Sequence, residues 1–181
     1  MAKIISLGEY LIQCGVKGDA NRVRTMVGGF NHWLGDDGLD PNRFAVDTKN
    51  DPERWRSRAG IEGWPEGERK FELFAVNFGI GFPNYEAMLD EASADSTLAE
   101  LQRGGFPHFQ PFFSVEKVKW LYDEHGIPWL EATDENSLWR GDGGSLYAPC
   151  LGCDPRYRGL DAFHVGDGRG AVDWFSFFRE L

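Results

Sequence analysis

The chain has 181 residues, of which 29 are acidic and 19 basic, for a formal charge of −10. Such a surplus repels nucleic-acid phosphates and anionic lipid, and it attracts basic protein surfaces at long range. Aromatic residues make up 14% of the chain, which supports a packed core and excludes an acidic disordered tail.

The opening Met1-Ala2-Lys3-Ile4-Ile5-Ser6 lacks the apolar stretch of a signal peptide, and no run approaches the ~20 apolar residues of a membrane span. Cys14, Cys150 and Cys153 are an odd count and a poor disulfide framework. The expectation is a cytoplasmic protein with reduced thiols, folded as a single α+β domain over residues 1–181. Within it, residues 1–35 read as a helical pair, 36–69 as an irregular excursion and 70–181 as a mixed α/β body. The body is expected to close with a C-terminal β-hairpin.

In chain order, residues 6–9 have the spacing of a capping box from Ser6 to Glu9. Leu7, Tyr10, Leu11 and Cys14 then follow on one face of a helix. Asp19 is placed to cap a second helix, whose apolar stripe runs through Val23, Met26, Val27, Phe30, Trp33 and Leu34. Turn chemistry at residues 35–38 and 50–52 marks the excursion, where Trp55 and Trp64 are expected to pack onto the body.

Phe74, Val76, Phe78 and Ile80 alternate with Leu73, Ala75, Asn77 and Gly79, predicting a strand over 70–80 covered on both faces. Asn84 is placed to cap a helix through Met88 and Leu89. Asp95 or Ser96 is placed to cap another that runs to Arg103. Residues 106–111 read as a proline-restrained aromatic loop. Ser114 caps a helix with Val115, Val118, Leu121 and Tyr122 inward, His125 in its last turn and Gly126 ending it. A strand over 127–132 follows directly. Residues 162–165 and 171–178 flank a glycine-rich turn and read as the hairpin. The expected core comprises Leu11, Val23, Val27, Phe30, Phe74, Val76, Phe78, Val118, Leu121 and Trp174.

Three places offer chemistry. Cys150-Leu151-Gly152-Cys153 has the spacing of a zinc-binding or redox pair, with His164 the nearest further ligand in sequence. A second ligand pair is missing from the sequence, which favours plain loop cysteines. Residues 140–145, Arg-Gly-Asp-Gly-Gly-Ser, form a glycine-rich loop that can cradle an anion, but without the Lys-Ser/Thr ending of a phosphate loop it reads as a connector. Acidic clusters recur at Asp36-Asp37-Asp40, Glu86-Asp90-Glu91-Asp95, Asp123-Glu124 and Glu131-Asp134-Glu135. None has the spacing of a calcium loop.

These observations favour a non-enzymatic, acidic protein-binding module. Inhibitors and immunity or counter-defence proteins share that profile. Its partner would be another protein with a basic surface, nucleic-acid-binding proteins included, and its candidate docking residues are Glu131, Asp134, Glu135 and the anchor Trp139. No cofactor is expected under that reading. The alternative is a small enzyme or metal-binding protein with zinc at Cys150, Cys153 and His164. A third reading takes residues 6–34 as a helix-turn-helix that binds DNA. Residues 1–35 carry four basic and two acidic side chains, but the strongly acidic remainder opposes DNA approach.

Overall fold

The structure is a computed structural model, and it describes residues 1–14, 32–33, 67–112, 114–135, 138–140, 145–156 and 158–181. The strands are β1 (Lys3–Cys14), β2 (His32–Trp33), β3 (Gly67–Asn77), β4 (Gln102–Arg103), β5 (Trp129–Glu131), β6 (Trp139–Arg140), β7 (Leu146–Gly152), β8 (Gly159–His164) and β9 (Trp174–Glu180). They join one sheet, in the order β1-β3-β9-β5-β7-β8-β2, with β4 beside β9 and β6 beside β7. Strands β5 and β9 run parallel, and every other pairing is antiparallel.

The sheet dominates the described residues, so the expected α+β arrangement behind an N-terminal helix pair is replaced by a mixed sheet with helices on its faces. The first expected helix is strand β1, and His32 and Trp33, placed at the end of the second, pair in antiparallel fashion with Leu160 and Gly159. That removes the helix-turn-helix reading of residues 6–34. Residues 15–31, with the expected core residues Val23, Val27 and Phe30, lie outside the described residues, as do 34–66. The C-terminal hairpin is also overturned. Its two halves are strands, but β8 pairs with β7 and β2 while β9 pairs with β3, β5 and β4.

The misreading of β1 has a local cause. Ser6 faces Phe74 and Gly8 faces Leu73, so Leu7 is an extra residue in a β-bulge. The bulge reverses the alternation: Ile5 and Leu7 before it, and Tyr10 and Ile12 after it, all reach the same core. An inserted phase slip turns a period of two into steps of three, which imitates a helix face. The supposed capping box does other work. Ser6 Oγ donates to Glu72 Oε1 at 2.9 Å, and Glu9 pairs with Lys70 at 2.7 Å. Leu11, expected in the core, falls on the outward phase and is 63% exposed.

Strand β3 explains the layering. Phe71, Leu73 and Ala75 enter one core together with Leu130, Leu151, Trp174 and Phe178. Phe74 and Val76 enter the other, with Phe175, Phe177 and Ala148. Helix α1 (Tyr85–Ala94) covers the second face through Tyr85, Met88 and Leu89, and its N-cap Asn84 accepts the Ala87 N–H as expected. Helix α2 (Val115–His125) covers the first through Val118 and Leu121, capped by Ser114 and ended by Gly126 in the left-handed conformation. The helix expected to run from Asp95 to Arg103 is shorter: a 3-10 turn at Ser96–Leu98 precedes β4. The aromatic loop is a 3-10 helix at Phe106–Phe112. Among the described residues no helix is long and apolar enough to cross a membrane.

Candidate functional site

Strand β5 brings the charged residue of an otherwise apolar run, Trp129-Leu130-Glu131-Ala132, into the centre of the sheet. Glu131 faces Cys150 of β7 and Phe175 of β9, on the side covered by α1. A carboxylate there needs a cationic partner, because an uncompensated buried charge is far too costly. Arg169 supplies it from the turn between β8 and β9. Its Nη2 donates to Glu131 Oε1 at 2.6 Å, and its Nε donates to Oε1 at 3.1 Å and Oε2 at 3.2 Å.

The rest of Arg169 ties its surroundings to that carboxylate. Nη1 donates to the carbonyls of His164 and Asp167 at 2.8 and 2.6 Å, closing the turn. The Arg169 backbone exchanges two hydrogen bonds with Phe82, and the guanidinium lies 5.2 Å from the Tyr85 ring. Tyr85 donates its hydroxyl proton to Ala132 O at 2.9 Å. Burial pushes the Glu131 carboxyl up to about 7, against the opposing pull of Arg169. Burial likewise raises the carboxyls of Asp161 and Asp173.

Glu131 is therefore an internal strut and not part of an external docking face, which corrects the expected grouping. Asp134 is half-buried, and Glu135 is exposed and paired with Arg103 at 3.0 Å. Trp139 pairs with Tyr147 through its backbone, and its side chain lies outside the described residues.

The proposed zinc donors do not converge. Cys150 lies opposite Asp161, whereas His164, three residues further along β8, lies opposite Tyr147. An odd offset along a strand puts side chains on opposite faces, so Cys150 and His164 are separated by the sheet itself. Burial raises both the Cys150 and Cys153 thiols. His164 is spent locally, with Nδ1 accepting the Gly166 N–H at 3.0 Å. No three His, Cys, Asp or Glu side chains among the described residues are grouped to hold a metal ion.

The acidic cluster of α1 has a different character. Glu86, Asp90 and Glu91 are exposed along its outer side, Asp95 caps the following turn, and Glu100 is exposed beyond it. Arg103 joins this cluster to the Asp134-Glu135 segment: Nη2 donates to Ser93 Oγ at 2.8 Å and Nη1 to Glu135 Oε1 at 3.0 Å. Two acidic stretches far apart in sequence thus border one another.

No family model, curated protein or solved structure matches the chain.

The central pair was missed at the sequence level, although one signal was present. A lone glutamate inside an apolar strand demands a buried cation, and Arg169 is the arginine of a turn otherwise made of glycine and aspartate.

Proposed function

We propose that this chain is an acidic protein-binding module that covers a basic surface of another protein, as an inhibitor or an immunity or counter-defence protein does. One observation carries the reading. From Tyr85 to Gln102 the sequence has five carboxylates and no lysine or arginine, and four of the five are exposed. Like charges gathered on one folded helix and its following turn project a field that accelerates encounter with a cationic surface. The adjoining Glu135 extends the face, and Arg103 is the cation on its border.

The groups with chemical potential point away from catalysis. Glu131 is tied to Arg169, and the thiols of Cys150 and Cys153 are sealed in the core. A general acid, base or nucleophile has to reach its substrate.

The test is affinity capture from lysate of the source cells at low and high salt. Wild type would run beside the triple variant E86K, D90K, E91K. A basic protein retained stoichiometrically by wild type, released by salt and lost from the variant supports the reading. No stoichiometric basic partner, or equal retention by the variant, rejects it.

A further inference from the structure

A second feature lies where the start of β1 approaches the end of α2. The start of β1, the end of β3, the end of α2 and the turn before β9 enclose an open cleft of about 610 Å³. Its walls include Lys3, Tyr122, Asp154, Arg156, Asp173 and Trp174. The wall before β9 is held rigidly. Asn77 Nδ2 donates to the carbonyls of Ala171 and Asp173 at 2.9 and 2.8 Å, fixing the turn that carries Asp173.

The charges of this cleft are unevenly engaged. Arg156 wraps back on Asp154, donating to its carboxylate from Nε and Nη2 at 3.1 Å each. Lys3 lies over the Trp174 ring at 5.6 Å. Asp173 differs from both: Oδ2 accepts the Gly170 N–H at 2.7 Å, and Oδ1 meets no hydrogen-bond donor among the described residues. Its carboxylate is half-buried and raised by that burial, and the cation that pulls it back, Arg169, is already bound to Glu131. Beside Asp173 on the rim stands Val172, a large hydrophobic residue left 69% exposed. A carboxylate set in a partly dry wall, with an apolar residue at its lip, suits a side chain with an aliphatic stem and a cationic head.

We propose that this cleft receives an arginine or lysine side chain of the partner protein, with its cation on Asp173 and its stem against Val172. The inference rests on the reading of the chain as the binder of a basic protein and adds an anchoring site to it. The helix face steers the encounter, while the cleft slows departure. A partly desolvated charge contact changes the off-rate more than a rim charge does.

The probe is the peptide acetyl-Gly-Arg-Gly-amide, titrated into ¹⁵N-labelled protein and followed by amide shifts. Saturating shifts are expected at residues 170–174 and 154–156, with no response to the same peptide carrying neutral citrulline. D173N, which keeps an acceptor for the Gly170 N–H, is expected to weaken the peptide at least tenfold, while E116Q in the first turn of α2 leaves it unchanged. Absence of saturable shifts, an equal response to the citrulline peptide, or full affinity in D173N overturns the proposal. So does tighter binding of free spermidine than of the peptide, which would assign the cleft to a small polyamine. The citrulline comparison needs no variant, so it decides even if D173N fails to fold. A captured basic partner together with a silent cleft rejects the cleft alone. Failure to capture any basic partner rejects the wider reading, whatever the peptide does.

Discussion

The guanidinium of Arg169 meets the carboxylate of Glu131 through Nη2 and Oε1 at 2.6 Å, with side-chain exposures of 1% and 2%. The two residues are far apart in sequence, and together they fasten the β8–β9 turn to the middle of the sheet. Removing one partner of a sealed pair strands the other charge. Arg169→Ala is therefore expected to cost about 3–5 kcal/mol. Glu131→Gln should cost less, since its amide oxygen still accepts from Nη2. Urea unfolding midpoints check both. An Arg169→Ala protein with the wild-type midpoint would mean that the pair does not hold the turn.

His108 gives the chain an acid-sensitive core. Its ring is stacked on Phe178 at 4.0 Å, and Nδ1 accepts the Gly105 N–H at 2.9 Å, a bond made by the neutral ring. Burial pulls its pKa from 6.5 down to about 3. Between those values the unfolded chain binds a proton that the folded chain refuses, so stability is full above 6.5 and falls as pH drops toward about 3. Glu131 acts in the opposite sense. Raised from 4.5 to about 7, its contribution is full below 4.5 and lost as pH rises through about 7. In urea melts across this range, His108→Gln should flatten the loss of stability on acidification, and Glu131→Gln should steepen it. Parallel profiles for all three proteins would reject the assignment.

What could be read from sequence follows from how local each signal is. Asn84 and Ser114 cap their helices by bonds that span three residues, and both were legible. Strand β3 was legible from its alternation, although it starts and ends three residues earlier than expected and leaves Ile80 exposed, and the expected core residues Phe74, Val76, Phe78, Val118, Leu121 and Trp174 are buried. Strand β1 was not, because the bulge at Leu7 disguised its period, although Ile4, Ile5 and Ile12 carry strand propensity. The C-terminal hairpin failed for a non-local reason. Strand β9 pairs with β3 across about a hundred residues of chain, and no short-range pattern competes with that. The site divided in the same way: the acidic run of α1 is visible in one line of sequence, while the contacts of Glu131 with Arg169 exist only once the sheet is assembled.

The CxxC pair is expected to be chemically quiet. Cys150 and Cys153 are fully buried, and burial raises both thiols, so little thiolate is present to react. Iodoacetamide at neutral pH should leave both unmodified in the native protein, and label both in denaturant, as read by peptide mass mapping. Rapid native labelling of either cysteine would contradict their placement and reopen a role for the pair in chemistry.

Gly104 sits where β4 meets the gap beside β5, and no side chain fits there. Its N–H donates to Ser176 O at 3.0 Å, while its carbonyl accepts from the N–H groups of Thr133 and Asp134 at 2.8 and 3.2 Å. Thr133 Oγ1 fills the space between, donating to Ser176 O at 2.7 Å. A Cβ on Gly104 would lie 2.8 Å from Ser176 O, a backbone atom that cannot swing aside. Gly104→Ala should therefore destabilise by about 1–3 kcal/mol. Adding Ser176→Ala should not rescue it, because the clash with the carbonyl remains. The same carbonyl of Gly104 positions the Asp134-Glu135 segment, so the substitution should also weaken binding to a basic partner beyond its effect on folding. A Gly104→Ala protein with wild-type melting would show that β4 can move away from β9, and would separate the acidic face from the sheet that is argued to hold it.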